Sequence, residues 1–270
     1  MLNLEDASTV SEIFTEVASE TRCAILISLD KKTSRISSLA RELEITAQDA
    51  FRNINRLLET GLVKREGADF GAFQLTELGR FVTKQIPYFV AVNKHRKFFE
   101  DHTTKYIPDK FIHRLGALQN CKVVENVTPV FERLKKLESC AKEYLRIILP
   151  QAWPEEGKIL AERAVNGVEV SVLFGRNTVF PKEVIESIIP TIDRLQKAGK
   201  IKGKMLDHIN FALYLSESES SAMFPNVKGD IDMSMLIIGD DPAFNEWCLD
   251  IFNHMWDRAT IGSIDKAKIV

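Results

Sequence analysis

The chain of 270 residues is 45% hydrophobic and has a formal net charge of −2. This length and apolar content allow one or two domains with buried cores, and we predict two. A charge so close to zero excludes an electrostatic grip on nucleic acid by the whole protein, so any basic surface must be local.

The cysteines and the apolar segments indicate the compartment. The four cysteines, Cys23, Cys121, Cys140 and Cys248, form no CxxC pair, which favours a reducing environment. No apolar segment reaches the roughly 20 residues that cross a bilayer. We therefore expect a cytoplasmic protein without a membrane partner.

Three helices are predicted before residue 45. Apolar residues recur at helical spacing from Ala7 to Ser19 and again up to Asp30. Ser19 or Thr21 is expected to cap the second helix. Ser37 opens a short third helix, SSLARELE.

The stretch from Ile45 to Val63 is the most informative part of the chain. Thr46 is predicted to cap a helix that Gly61 ends in a left-handed conformation. The inward face carries Ala50, Ile54, Leu57 and Leu58, with Phe51 at its edge. The opposite face carries Gln48, Asp49, Arg52, Asn55 and Arg56. Arg, Gln and Asn match base edges in the major groove of DNA, although an ordinary solvated helix has the same pattern.

The next two apolar runs, LVKRE and AFQLT, flank the loop GADFG and predict a β-hairpin. Three helices and a hairpin compose a winged helix-turn-helix. The segments FTEVASETRCAILISL, ISSLARELEIT, INRLLETGLVKRE and FQLTELG resemble the ArsR-like winged-helix transcription regulators over residues 10–85. That group includes sensors with metal-binding cysteines on the short third helix. Here that helix has neither Cys nor His, so no metal site is expected there.

This resemblance and the polar helix face predict the DNA contacts. Arg22 to Arg65 carries nine Lys or Arg against five Asp or Glu, a mild positive patch. The residues predicted to enter the major groove are Gln48, Asp49, Arg52, Asn53 and Arg56. Those predicted to hold the DNA backbone are Thr46, Ser37 and Ser38 at helix N-termini, and Lys64 and Arg65 in the wing. Each also fits a solvated surface residue, and Asp49 fits a capping role alone.

A helical linker, residues 87–118, is predicted between an N-terminal domain, residues 1–86, and a C-terminal domain, residues 119–262. Pro87 is expected to break or restart the helix. The apolar helix that follows is predicted to pair with its twin in a homodimer, or else to dock onto the C-terminal domain. His95 and His102 are expected at the surface or as caps rather than as metal ligands.

Strands alternate with helices after Cys121, which predicts an α/β sheet. The strand candidates are VVENV, YLRIILP, VEVSVLFG, FALYLSE and DMSMLIIGD. The helix candidates are Val130 to Tyr144, Pro154 to Val165, Lys182 to Ala198 and Pro242 to Arg258.

Two further resemblances concern this region. FFEDHTTKYIPDKFIHRLGAL is similar to the junction in archaeal winged-helix regulators typified by a methanogenesis regulator. The α/β region resembles the phospholipase D-like half-domain of archaeal regulators, including the TrmB-like group. Enzymes of that fold need a His followed two residues later by Lys. Here Asn210 stands at that place after His208, and His95 with Lys97 lies in the linker. The resemblance therefore implies a catalytically inactive domain that binds instead.

These patterns together favour an archaeal, dimeric regulator that binds specific double-stranded DNA, needs no cofactor or metal, and senses a small molecule or a partner. A scaffold protein of the transcription machinery and an enzyme of the α/β domain are the alternatives. Five residues fit the lining of a cavity as well as the core or rim: Trp153, Phe174, Arg176, Phe180 and Tyr214. No ligand-binding residue is assigned.

Overall fold

The structure, a computed structural model, describes residues 4–67, 71–261 and 268–269. The chain divides into two units, Met1–Pro87 and Tyr88–Val270. Within the described ranges, no helix combines the length and apolar character that a membrane span requires.

The N-terminal unit is a winged helix-turn-helix. Its elements are α1 (Asp6–Val17), α2 (Glu20–Lys31), β1 (Ser34–Arg35), α3 (Ile36–Glu42), α4 (Ala47–Glu59), β2 (Val63–Arg65), β3 (Ala72–Leu75) and the start of α5 (Glu77–Lys94). The antiparallel sheet has the order β1-β3-β2. Ile25, Leu39 and Leu57 belong to a core that is closed to solvent. The predicted fold of this unit is confirmed.

Local signals determine where the helices of this unit begin and end. Ser19, the first of the two predicted caps, accepts a hydrogen bond from the Arg22 backbone N–H at 3.4 Å. Thr46 accepts one from the Asp49 N–H at 3.0 Å. Gly61 has φ of +70°, a conformation in which a Cβ would be strained. The predicted cap and stop of α4 are therefore confirmed.

Helix α5 continues through Pro87 for 18 residues, so the expectation that Pro87 breaks or restarts the helix is wrong. Proline has no N–H to donate to the carbonyl of Thr83, four residues earlier, and this removes one hydrogen bond. A helix of this length retains its other backbone bonds. It ends at Lys94, and α6 (Arg96–Asp101) follows after His95.

The C-terminal unit is a mixed sheet covered by helices. After α6 come α7 (Asp109–Ile112), a 3-10 helix (Leu115–Leu118), β4 (Lys122–Glu125), α8 (Val127–Cys140), β5 (Tyr144–Gln151), α9 (Pro154–Val165), β6 (Glu169–Phe180), α10 (Lys182–Ser187), α11 (Ile189–Lys197), β7 (Ile201–Leu206), β8 (Ala212–Ser216), β9 (Ser220–Met223), β10 (Met235–Gly239), α12 (Pro242–Trp256) and β11 (Lys268–Ile269).

The eight strands have the order β11-β6-β5-β8-β9-β10-β4, and β7 also pairs with β6. Strands β5, β6 and β7 run parallel, whereas β8, β9, β10 and β4 form antiparallel pairs. The predicted α/β class is confirmed. Strands β7 and β9 were not predicted, and the predicted helix Lys182 to Ala198 is two helices, α10 and α11, separated at Ile188.

Alternating side chains of the central strands build two cores. Leu145, Ile147 and Leu149 of β5 enter one core, and Ile148 between them enters the other. Successive side chains of a strand point to opposite faces, so the two cores lie on opposite faces of the sheet. Helices α8 and α9 contribute to the first core, and α12 contributes to the second.

The segment predicted as a linker packs into the second core through Ala91, Phe98, Phe111 and Leu118. Its two histidines are buried, so the expectation of surface histidines is wrong. They occupy the N-cap and C-cap positions of α6, which agrees with the alternative expectation of capping residues. His95 Nε2 lies 2.9 Å from the Leu118 carbonyl oxygen. His102 Nδ1 lies 2.8 Å from the carbonyl oxygen of Phe98. Burial lowers the pKa of His95 despite its backbone hydrogen bond.

The first core contains two acidic side chains, Glu138 of α8 and Glu156 of α9. They interact with each other and with Tyr214 of β8. Burial raises the pKa of Glu138 well above its usual range and raises the pKa of Glu156 to about 7. Glu156 is raised less because hydrogen bonds from Glu138 and Tyr214 favour its ionised form.

Replacing Glu156 with Gln should stabilise the protein at pH 8 and leave its stability at pH 5 nearly unchanged. A carboxyl whose pKa is about 7 folded and 4.5 unfolded weakens the fold progressively as pH rises from about 4.5 to 7. Removing that ionisation should add at most about 3 kcal/mol to the free energy of unfolding at pH 8.

Urea unfolding of the parent and Glu156→Gln at both pH values measures this gain. Glu155→Gln is the matched control, because that neighbouring carboxyl is exposed. Identical pH dependence in the parent and in Glu156→Gln would contradict the interpretation.

Candidate nucleic-acid interface

Helix α4 presents a continuous exposed face. Its Ala50, Ile54 and Leu57 are fully buried, so the opposite side must face outward. Gln48 and Arg52, one helical turn apart, are both exposed there. Phe51 lies beside them, half exposed at 50%. The geometry thus brings together two side chains that can read base edges and one apolar ring.

The first turn of α4 is organised around Asp49. The Thr46 hydroxyl donates to Asp49 Oδ2 at 2.7 Å, while it also accepts from the Asp49 N–H. Arg52 Nη2 donates to Asp49 Oδ1 at 2.8 Å, and Asn53 Nδ2 donates to the Asp49 carbonyl oxygen at 2.9 Å. Asp49 therefore supports the Thr46 cap and orients Arg52, while Thr46 and Asn53 already have partners within the protein.

Arg56 is engaged with a buried acid. Its Nη2 lies 2.8 Å from Oε1 of Glu16 on α1, whose side chain is only 2% exposed. Arg22 of α2 places Nε 2.8 Å from Glu16 Oε2, while that N–H donates to the Glu16 carbonyl oxygen at 3.0 Å. Arg56 also pairs with Glu59 at 3.3 Å. The acid thus connects α1, α2 and α4.

The remaining predicted contact residues are spread over two other elements. Ser37 is exposed and Ser38 half-buried in the first turn of α3. Lys64 and Arg65 are exposed on β2, opposite Gln74 and Phe73 of β3. The Arg65 guanidinium lies over the Phe73 ring, 5.5 Å from its centroid. The tip of the predicted hairpin, residues 68–70, lies outside the described residues.

The predicted contact residues omitted Phe51, which the structure exposes between Gln48 and Arg52. The helical period places Phe51 at the edge of the apolar face, and this position was the sequence signal that could have identified it. Elsewhere, no group of three or more His, Cys, Asp or Glu side chains is arranged to hold a metal ion within the described ranges.

With both units described, residues 127–258 match the family described as the methanogenesis regulatory protein FilR1, middle domain. This segment of the C-terminal unit is similar to that middle domain, and we refer to it as the FilR1-type middle domain. The matched segment begins at the first residue of α8 and extends two residues beyond α12. The predicted relationship to a methanogenesis regulator is thereby confirmed for this FilR1-type middle domain. A search of curated proteins gave no match.

Several solved structures show weaker similarity to the chain. TrmBL2, an archaeal chromatin protein, is 12% identical, with 93% of this chain and 99% of that chain covered and a TM-score of 0.41. The transcriptional repressor BigR from Xylella fastidiosa is 19% identical over 32% of this chain and 89% of its own, with a TM-score of 0.30. Nuc, a phospholipase D family member from Salmonella typhimurium, is 12% identical over 52% and 97%, with a TM-score of 0.38. Scores this low do not establish a common fold.

Replacing Glu16 with Ala should lower the free energy of unfolding by about 3 kcal/mol, because it leaves Arg22 and Arg56 without their buried counter-charge. Urea unfolding measures the loss. Glu12→Ala is the control, since Glu12 is an exposed residue of the same helix. A loss no larger than that of Glu12→Ala would show that Glu16 does not hold the three helices together.

Proposed function

We propose that this protein is a transcription regulator that binds specific double-stranded DNA through α4. The observation that carries the proposal is the exposed face formed by Gln48, Phe51 and Arg52 on the fourth helix of a winged helix-turn-helix. In this fold the recognition helix lies in the major groove and places its N-terminal residues against base edges. All three side chains belong to the first half of α4.

Each of these side chains suits a different base feature. A guanidinium such as that of Arg52 can donate two hydrogen bonds to guanine O6 and N7, and the amide of Gln48 can pair with adenine N6 and N7. The Phe51 ring supplies an apolar surface for a thymine methyl group. Asp49 orients Arg52, and Arg56 pairs with the buried Glu16, so we assign these two residues to positioning rather than to base contact. The side chain of Arg52 stays 76% exposed although it pairs with Asp49, so it remains available to a base.

Contacts to phosphate would hold α4 in register. Ser37 and Ser38 at the start of α3, and Lys64 and Arg65 on the wing, are exposed or half-buried hydrogen-bond donors. The stretch from Arg22 to Arg65 has a net charge of +4, nine basic against five acidic residues, in a protein of net charge −2. The positive charge is therefore concentrated in the segment that includes α4.

The FilR1-type middle domain supports a regulatory rather than an enzymatic role. A phospholipase D-like active site needs Lys two residues after its His, and Asn210 stands there after His208. We infer that this domain binds an effector.

Exposed apolar side chains of the N-terminal unit support a homodimer. The two-fold symmetry of such a dimer matches that of many operators. Within the N-terminal unit, α1 exposes Val10 and Phe14, and α5 exposes Leu78 and Phe81. Phe81 is 63% exposed. A second copy of the chain would remove these groups from water, and burial of apolar area is the main driving force of such association.

Replacing Arg52 with Ala should weaken binding to the selected operator by 10-fold or more, because a bidentate base contact contributes about 1–3 kcal/mol. Non-specific affinity should change little. Fluorescence anisotropy measures both, with a duplex selected by the protein from a random pool and with a scrambled duplex.

Arg80→Ala is the matched control for this variant. Arg80 is also an exposed arginine that pairs with an acid three residues earlier, Glu77, but it lies on α5. Equal losses for Arg52→Ala and Arg80→Ala, or equal losses on both duplexes, would contradict base reading by α4.

Replacing Phe81 with Glu should convert the dimer into monomers at micromolar concentration, because it places a charge in the proposed apolar interface. Sedimentation velocity measures the mass. Phe51→Glu, at a comparably exposed phenylalanine on α4, should remain dimeric while it loses operator binding. A monomeric parent, or a dimeric Phe81→Glu variant, would exclude this interface.

A further inference from the structure

Two adjoining cavities lie on the first-core side of the FilR1-type middle domain. The apolar cavity, of about 580 Å³, is lined by side chains of β6, α9, α10 and α11, among them Leu160, Phe174, Phe180, Val184, Ile185 and Ile188. The carboxyl cavity, of about 520 Å³, is lined by Phe131, Glu138, Trp153, Glu156 and Tyr214 with charged residues. Trp153 and Glu156 line both cavities. Of the five residues that the sequence offered for a cavity, Arg176 alone lines neither.

The carboxyl cavity contains buried polar atoms that lack partners. Glu138 is only 1% exposed, and its Oε1 has no hydrogen-bond partner among the described residues. The indole Nε1 of Trp153 is likewise buried and unpartnered within the described part of the chain. Such groups are uncommon in folded proteins, so their place on a cavity wall points to a ligand that supplies the missing partners.

The electrostatic balance of the carboxyl cavity favours a cation. Glu138 and Glu156 contribute two acids that are both buried. Lys135 borders the cavity but pairs with the exposed Glu155. Lys158 and Glu183 also border it and contribute one charge of each sign. The buried acids thus lack a dedicated counter-charge among the described lining residues, and burial raises the pKa of both.

Aromatic side chains complete the cavity wall. The rings of Phe131 and Trp153 meet edge to face with centroids 4.4 Å apart, and Tyr214 lies next to Glu156. Aromatic rings beside carboxylates are the usual surroundings of a bound ammonium group, because the ring face attracts positive charge. The neighbouring apolar cavity provides space for an aliphatic body.

We propose that the joined cavities bind an amphipathic amine, with its ammonium group between Glu138 and Glu156 and its aliphatic part in the apolar cavity. The Trp153 N–H is placed to donate to a hydroxyl or ether oxygen near the amine. Binding does not depend on the proposed DNA reading, whereas the amine's role as the effector rests on that proposed function.

The test compares three probes that share an eight-carbon chain and differ in the head group: octylamine, octanol and octanoate. Isothermal titration calorimetry at pH 7.5 is performed with the full chain and monomeric probes. Octylamine should bind with 1:1 stoichiometry per chain and at least 10-fold more tightly than octanol, while octanoate should not bind. Equal affinity for the three probes, tighter binding of octanoate or no saturable binding would overturn the proposal.

Variants separate the two parts of the site. Glu138→Gln and Glu156→Gln should each reduce octylamine affinity at least 10-fold and leave octanol affinity unchanged. Glu162→Gln, which changes an exposed acid of the same helix outside both cavities, should retain the preference for the amine. Ile185→Trp should weaken octylamine and octanol alike by filling the apolar cavity. Unchanged octylamine binding in Glu138→Gln and Glu156→Gln would overturn the assigned head-group site.

The regulatory role is tested separately by operator anisotropy with and without saturating octylamine. A change in operator affinity that Glu156→Gln abolishes would support an effector role. Amine binding without any change in operator affinity would overturn that role while the binding site stands. Failure of operator binding both with and without amine would instead refute the proposed function.

Discussion

The orientation of helix α4 depends on one buried carboxylate. Glu16 receives Arg22 from α2 and Arg56 from α4, each at 2.8 Å, so three helices share a single counter-charge. A buried acid with two guanidinium partners is costly to separate, since loss of either partner leaves a desolvated charge. The ion pairs of Glu16 therefore fix the direction in which the exposed face of α4 points. The same contact is the reason that Arg56, although exposed in part, is assigned to positioning in the proposed function.

The buried glutamates of the C-terminal unit have different partners from those of Glu16. Glu138 is as deeply buried as Glu16, at 1% exposed, and Glu156 is 8% exposed. Among the described residues these two acids are paired with each other and with Tyr214 instead of with arginine. Burial then favours their neutral forms. Glu16 has two guanidinium groups that balance its charge, whereas the acid pair beside the cavity has no arginine partner among the described residues, so its ionisation would weaken the fold. This difference distinguishes Glu16, which stabilises the fold, from Glu138 and Glu156, which are suited to binding a ligand.

The elements that local sequence determines were predictable, and those that depend on distant contacts were not. Helix α4 is determined by signals that lie within 16 residues, from Thr46 to Gly61. These are the cap at Thr46, the apolar period of the helix and the left-handed Gly61. Strand β9, by contrast, is SSAM, four buried residues with little apolar character, and only its pairing with β8 and β10 identifies it. The buried His102 lies 3.2 Å from Asp232, which is 130 residues away in the sequence. The carboxyl cavity likewise requires α8, α9 and β8 to pack before its residues meet.

An effector can regulate this protein only if it binds two states of the chain with different affinity. The proposed amine meets that condition in principle, because Glu138 and Glu156 belong to different helices, α8 and α9, and an ammonium between them would favour one spacing of the pair. Linkage then requires that operator DNA change the affinity for the amine by the same factor by which the amine changes the affinity for DNA. Equal factors would show that the two sites are coupled. If the amine changed DNA binding while DNA left the amine affinity of the carboxyl cavity unchanged, a second amine site at the DNA surface would be competing with DNA.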